Sequence, residues 1–237
     1  MSVRFRRVGN VVVSSYFTWP VFGFAMAYTA AENTCIAFLV RHASTINNLA
    51  RPPKLQGLSE DEGLSPEGEA EAETTARFLS DQPISRVFSS PLARAMETAA
   101  IIARPHGLTP TLIQPFHEVD VGRWAGRTWA SIERDEPDAY HRFMTDPARH
   151  GYSGGENMTQ VRERVLPAAM KLLEENLGRV ILVVGHNVVN RVLLATVLHV
   201  PLSKARGIDQ DNCGVSIIRY RNGQTKLLTS NAAFHLH

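Results

Sequence analysis

The chain has little of what marks several whole classes of protein. Two cysteines, Cys35 and Cys213, lie far apart in 237 residues, too few for a disulfide framework and without zinc-ligand spacing. They read as reduced, buried thiols, which suits a reducing compartment. Net charge is almost absent: 25 basic residues face 23 acidic ones, a balance of +2. A nucleic-acid reader carries a strongly basic face, so no nucleic-acid partner is expected. Internal repeats and low-complexity stretches are missing as well. What is there is ordinary globular composition, 44% hydrophobic and 20% charged, in a chain long enough to bury a real core.

Long uncharged runs are also scarce. The most prominent, Val11–Ala30, follows Arg4, Arg6 and Arg7. A basic start before an apolar run is the pattern of a leader or membrane anchor, and Ala25-Met26-Ala27 has the small-x-small form of a cleavage site. The run matches the roughly 20 residues needed to span a bilayer. Ser14, Ser15, Thr18 and Pro20 dilute it and interrupt a helix. Residues 1–34 are therefore read as an N-terminal extension with three readings open: a leader or anchor, a segment attached to a soluble domain, or a mis-assigned start with translation beginning at Met26. Membrane contact is expected only if residues 11–30 act as an anchor, and a cytoplasmic protein otherwise.

From residue 35 onward, strand and helix signals alternate. Cys35 to Val40 is a short apolar strand ending abruptly in Arg41-His42, with a short helical stretch after it. Residues 51–63 form a loop whose acidic run, Glu60-Asp61-Glu62, is expected to be a solvated surface. Ser65-Pro66 opens a helix as cap plus first-turn proline, and Ala72, Ala76 and Leu79 give its inner face. Ile84 to Ser89 is a strand, and Ser90-Pro91 is read as a second cap-and-proline helix start. Thr111 to Ile113 is a brief strand, 114–128 is irregular, Trp129 to Phe143 is helical with a break near Pro137, and Asn157 to Leu177 is a long amphipathic helix. Val180 to Val184 has no polar member, which argues a strand buried on both faces in a parallel sheet. Gly185-His186 follows, then an apolar helix from Asn187. Val215–Tyr220 and Lys226–Ser230 flank Asn222-Gly223 and read as a hairpin that adds an antiparallel edge. The expected fold is α/β, a three-layer sandwich whose mainly parallel central sheet is flanked by helices. Residues 35–237 are expected to form one domain, with residues 114–160 as a subdomain over the site.

Ligands of such sheets bind beyond the carboxyl ends of the strands. His42 follows the first strand, Arg94 sits in the first turn after the second, and His186 follows the apolar one. An arginine in a helix's first turn opposes the helix dipole unless an anion lies between them, which makes a phosphate site. Alone, each of these residues has a bland reading, and His106, His117, His141, His150, His199, His235 and His237 keep it. A zinc site on the two strand-end histidines lacks a third ligand at suitable spacing.

The motifs carrying these residues are familiar as a set. LVRHASTINN (Leu39–Asn48), SSPLARAMETA (Ser89–Ala99), HEVDVGRW (His117–Trp124), GGEN (Gly154–Asn157) and VVGHNVVNRVLL (Val183–Leu194) together resemble the histidine phosphatase superfamily, the phosphoglycerate mutase-like family, over about residues 36–220. Ala43 stands where that family usually has glycine, Ser44 where it often has glutamate, and Asn187 where glycine is common.

The resemblance implies a phosphoglycerate mutase-like fold and a two-step transfer. His42 would be the nucleophile. Arg41, Asn48, Arg94 and His186 would bind the phosphoryl oxygens. Glu118, rather than Asp120, would be the acid and then the base. No metal or other cofactor is called for, because fixed cations stabilise the charge. The partner is then a small phosphorylated substrate, and a homodimer stays open. Mutases of the family carry a long insertion between acid and second histidine, whereas this interval is 186 − 118 = 68 residues, which resembles the compact phosphatases. Two alternatives remain: phosphoglycerate mutase-type transfer, or a non-catalytic phospho-ligand binding protein, against which stands the presence of both His42 and Glu118. Arg123, Arg127, Arg149 and Tyr152 are the candidate substrate-selecting residues.

Overall fold

The apolar runs at residues 35–40 and 180–184 become neighbouring strands at the centre of the molecule. In the computed structural model, which describes residues 27–237, a six-stranded sheet has the order β3-β2-β4-β1-β5-β6. The strands are β1 (Thr34–Arg41), β2 (Ile84–Ser89), β3 (Thr111–Leu112), β4 (Arg179–Gly185), β5 (Val215–Arg221) and β6 (Gln224–Ala232). β1, β2, β3 and β4 run parallel, while β5 pairs antiparallel with β1 and β6 antiparallel with β5. The hairpin thus adds two antiparallel strands. The basic start and nearly all of the Val11–Ala30 run lie outside the described residues. Among those described, no helix is long and apolar enough to cross a membrane.

Period-two alternation divides the core between two faces. Ile36, Phe38 and Val40 of β1, with Val180, Leu182 and Val184 of β4, face one cluster. It is covered by α2 (Pro66–Leu79) and α3 (Ala93–Ala103). Cys35, Ala37, Leu39, Ile181 and Val183 face the other, covered by α6 (Met158–Glu174) and α7 (Asn187–Val197). Strands covered on both faces have no use for polar residues, hence the unbroken Val-Ile-Leu-Val-Val. Both cysteines are free and fully buried, and burial pushes each thiol up to about 12. The remaining helices are short: α1 (Ile46–Leu49), α4 (Trp129–Asp135) and α5 (Pro137–Thr145). The break between the last two falls at Pro137, which takes the first position of α5.

Local capping follows the sequence at some helices and departs from it at one. Ser65 accepts from the Gly68 N–H at 3.0 Å with Pro66 inside the first turn. Asn157 and Gln160 close a capping box on α6. Ser90, by contrast, caps no helix. α3 begins three residues later, at Ala93, and Leu92 holds the cap position without a side-chain bond. The free N–H of Ala93 donates instead to Asp61 at 2.8 Å. The acidic run is therefore structural in part and not simply a solvated surface: Asp61 caps α3, and Glu62 accepts from Asn47 at 3.2 Å.

Candidate active site

Strand register brings the ionic motifs together. Arg41 at the end of β1 pairs with Gly185 at the end of β4, and Ser89 at the end of β2 pairs with Val184. The chain just beyond is fastened across the gap, with His42 N–H donating to Gly185 O at 3.0 Å and Ser90 N–H to Val184 O at 3.0 Å. A cavity of about 770 Å³ opens above these ends, lined among others by Arg41, His42, Asn48, Arg94 and Glu118.

His42 is buried, and its Nδ1 lies 2.7 Å from Ala43 O. A carbonyl only accepts, so Nδ1 carries the proton and the Nε2 lone pair is free. Burial first, then the Arg41 and Arg94 charges, hold this imidazole well below the usual histidine range, so it is neutral at physiological pH. The His186 ring stands 5.2 Å away, centroid to centroid. It is fully buried behind the cavity wall, with Nε2 in a 2.7 Å hydrogen bond with Ser90 Oγ and Nδ1 unpartnered. Burial, followed by Arg94 and His42, depresses its pKa as well.

The two arginines are fixed by backbone carbonyls rather than by carboxylates. Arg41 Nη1 donates to Gln210 O at 2.6 Å. Arg94 donates to Glu60 O at 2.9 Å and Gly57 O at 2.8 Å, with Asp61 at 3.7 Å. Each keeps a buried Nε without a partner. Burial lowers the Arg41 pKa to about 10, which leaves it cationic. An unpaired buried donor on a cation is costly, and a phosphoryl oxygen is the anion that would satisfy it. Asn48 uses its Oδ1 to accept from Thr45 N–H and Thr45 Oγ1, both at 3.1 Å, and has no partner for Nδ2 among the described residues.

Glu118 sits at the opening of α7. Its carboxylate accepts from the N–H groups of Val188 and Val189, at 3.2 and 3.4 Å, and of Val119 at 2.9 Å. The loop carrying it is held from behind. Arg164 of α6 donates to Pro115 O, His117 O and Glu118 O at 2.5, 2.9 and 3.3 Å and pairs with Glu156 at 2.8 Å. Glu156 in turn accepts from Asp120 N–H at 2.9 Å. This explains the GGEN motif: a Cβ on Gly155 would collide with Asp120 O, and Gly122 has a positive φ of 52° and no room for a side chain against residues 153–155. Asp120 accepts from Gly122 N–H at 2.8 Å in its own turn and does not line the cavity.

Two of the sequence departures find partners. Ala43 N–H donates to Thr98 Oγ1 at 3.0 Å, and Ser44 is held by Glu71 through its N–H and its hydroxyl, both at 2.8 Å. Of the candidate substrate-selecting residues, Tyr152 lines the cavity and the three arginines do not. Arg127 is bound to Asp135 and Glu136, Arg123 lies beside Ser153, and Arg149 pairs with Asp146. The cavity's further cations are Lys54, Arg191, Lys204 and Arg206, which sequence reasoning missed. Arg191 had a readable signal, as the lone charge inside the apolar run from Val188 to Val197. Ser90 and Asn212 were missed too; Asn212 Nδ2 donates to His42 O at 2.9 Å.

Comparison with known proteins shows the family and the fold. The family model described as histidine phosphatase superfamily (branch 1) matches residues 37–233. Phosphoserine phosphatase 1 of Hydrogenobacter thermophilus is 31% identical over 84% of this chain and 92% of its own length. A probable phosphoglycerate mutase GpmB of Salmonella choleraesuis is 31% identical over 79% of this chain and 86% of its own. Among solved structures, YhfR of Bacillus stearothermophilus superposes with a TM-score of 0.79 at 25% identity, covering 86% of this chain and all of that one.

Proposed function

The chain belongs to the histidine phosphatase superfamily (branch 1), and we propose on that premise that it hydrolyses phosphomonoesters of small metabolites through a phosphohistidine on His42. The observation that carries this reading is the tautomer of His42: Nδ1–H is committed to Ala43 O, so a neutral ring presents Nε2 to a bed of cations.

In the first step the Nε2 lone pair forms a bond to phosphorus while the ester P–O bond breaks. Glu118 gives its proton to the departing alkoxide. Arg41, Asn48 and Arg94, which line the cavity, hold the non-bridging oxygens, and His186, behind the wall, has only its unpartnered Nδ1 to offer them; the charge is stabilised by fixed donors rather than by reorganising solvent. In the second step Glu118, now a carboxylate, takes a proton from water as the water oxygen bonds to phosphorus and the P–N bond breaks. Inorganic phosphate leaves, and His42 is neutral again. The residues supply their own cationic stabilisation, so the reaction runs without a metal.

Residues 114–160 are the cover in this scheme, contributing Trp129, Met144, Thr145, Tyr152 and Met158 to the cavity wall. The short interval between Glu118 and His186 favours water over a second sugar acid as acceptor. We place the protein in the cytoplasm, on the strength of its two free buried thiols; mass spectrometry of the native N-terminus tests whether residues 1–30 are retained. The functional test is turnover of p-nitrophenyl phosphate in EDTA. Release of p-nitrophenol by the wild type, together with acid-labile phosphorylation that disappears in His42→Ala, is expected. An active His42→Ala enzyme would overturn the scheme.

A further inference from the structure

The phosphoryl group needs only the part of the cavity around His42, Arg41 and Arg94, and the rest of its wall is cationic too. Six cations line the cavity, Arg41, Lys54, Arg94, Arg191, Lys204 and Arg206, against one acid, Glu118. Arg41 and Arg94 belong to the transfer end. The other four form no ion pair among the described residues, whereas the outer arginines 123, 127 and 149 all do.

Arg191 and Arg206 are the informative pair. Arg191 is half-buried on α7 and spends its Nε on Ile208 O at 2.8 Å, leaving its two terminal nitrogens without partners among the described residues. Arg206 is half-buried as well. Its guanidinium lies 5.2 Å from the Trp129 ring centre and 5.3 Å from that of Phe143, with Nη1 against the Met144 sulfur. Rings and a thioether fix it in place and supply no full negative charge. The two cations are near enough that Arg206 adds to burial in drawing Arg191 below its usual pKa. Two like charges without ion-pair partners in one partly desolvated wall are unfavourable, and an anion held by both reverses the sign. A cavity of about 770 Å³ also has room for much more than a phosphoryl group, since sites of that size take a whole metabolite.

We propose that the substrate carries a second anionic group, a carboxylate or a second phosphate, and that Arg191 and Arg206 clamp it while Lys204 and Lys54 attract it from the rim. This rests on the hydrolase reading and narrows its substrate class to phosphomonoesters with an anionic tail.

The test compares matched esters. Glycerol 3-phosphate and 3-phosphoglycerate differ in having a hydroxymethyl or a carboxylate at the far end, and fructose 1,6-bisphosphate offers a second phosphate. For the wild type, kcat/KM should favour one of the two doubly anionic esters over glycerol 3-phosphate by about 10²-fold, the worth of a charge-assisted bidentate contact. Whichever wins identifies the anion. In Arg206→Met that ratio should collapse to within about fivefold of unity. In Lys204→Gln, an exposed side chain whose loss does not threaten folding, it should fall about threefold. Equal turnover of all three esters by the wild type, or equal losses on all three in both variants, would overturn the proposal. Calorimetry on His42→Ala reads binding apart from chemistry. A tenfold or greater preference there for an ester with two anionic groups, alongside a wild type that turns nothing over, would refute the hydrolase reading and leave the second subsite standing. The absence of any preference would remove the subsite whatever the turnover.

Discussion

The two ends of the cavity are built by different means. At the transfer end His42, Arg94 and His186 are almost wholly buried; His42 and His186 follow the ends of the adjacent strands β1 and β4, and Arg94 stands in the first turn of α3, after β2, so all three are placed by the register of strands covered on both faces. In the rest of the cavity wall Lys54, Lys204 and Arg206 come from a loop and from the 3-10 turn Leu202–Gly207, outside the sheet, and only Arg191 stands on a long helix, α7. Buried strands deform little, because a one-residue slip would turn every apolar side chain to the wrong face. Loops can change length and residue without that cost. On the proposed function the difference is a division of labour: the rigid part of the site would fix which group is transferred, and the looser part which molecule carries it.

The comparison breaks most decisively at His42. Replacing it by alanine should lower kcat by at least about 10⁴-fold on every ester, since a reaction stripped of its nucleophile keeps only what binding and electrostatics supply. A uniform loss marks the transfer end; a loss that depended on the ester's tail would erase the distinction between the ends. Glu118→Gln comes next. It should cost about 10²–10³-fold on alkyl esters, whose alkoxide needs a proton, and much less on p-nitrophenyl phosphate, whose leaving group does not. Steady-state rates over a series of leaving groups measure this slope, and a flat series would remove Glu118 from the acid role. Glu156→Gln should show the same leaving-group dependence in weaker form, about tenfold in kcat with KM little changed, because Glu156 reaches the chemistry only through Arg164 and the loop that carries Glu118. A change in KM alone would make it merely structural.

How much of this was legible in the sequence follows the same division. Val180–Val184 announced a strand buried on both faces, and Ser65-Pro66 announced a helix start, because each signal is local: an apolar run, a cap beside a proline. His42, Arg94 and His186 could be picked out from such signals, two strand ends and a helix start, whereas Glu118 lies in an irregular segment and was assigned only through the family resemblance of its motif. Ser90-Pro91 misled for a physical reason. The Ser90 hydroxyl was already engaged by His186, 96 residues away, and a carboxylate from the preceding loop capped the helix in its place. No local pattern could reveal that substitution. Arg123, Arg127 and Arg149 misled in the same way: their number suggested a cationic wall, but each faces a carboxylate close to it in the chain or in space. Of the cavity's further cations only Arg191 is marked in the sequence, as the lone charge in an apolar run; Lys54, Lys204 and Arg206 are identified by the ion-pair partners they lack, which no window of sequence records.

The smallest expected effect concerns stability and separates the ends by pH. Both His42 and His186 are held well below the ordinary histidine pKa in the folded protein, chiefly by burial and then by Arg41 and Arg94, with His42 adding to the effect on His186. In the unfolded chain they titrate near the ordinary value of about 6.5. Below that pH the unfolded state binds protons that the folded state refuses, so folding stability is intact above about pH 6.5 and declines as the pH falls beneath it. For each histidine whose folded pKa lies under 5.5, the loss between pH 7.5 and 5.5 amounts to about 1.4 kcal/mol. Urea unfolding across that range should therefore show a shallower decline for His42→Asn than for the wild type, by about that amount. Lys204→Gln, at the exposed rim of the other end, should parallel the wild type. Equal slopes for His42→Asn and the wild type would mean that the His42 ring accepts a proton in the folded state near its ordinary pH. The neutral nucleophile, and with it the contrast between a desolvated transfer end and a solvated far end, would then fail.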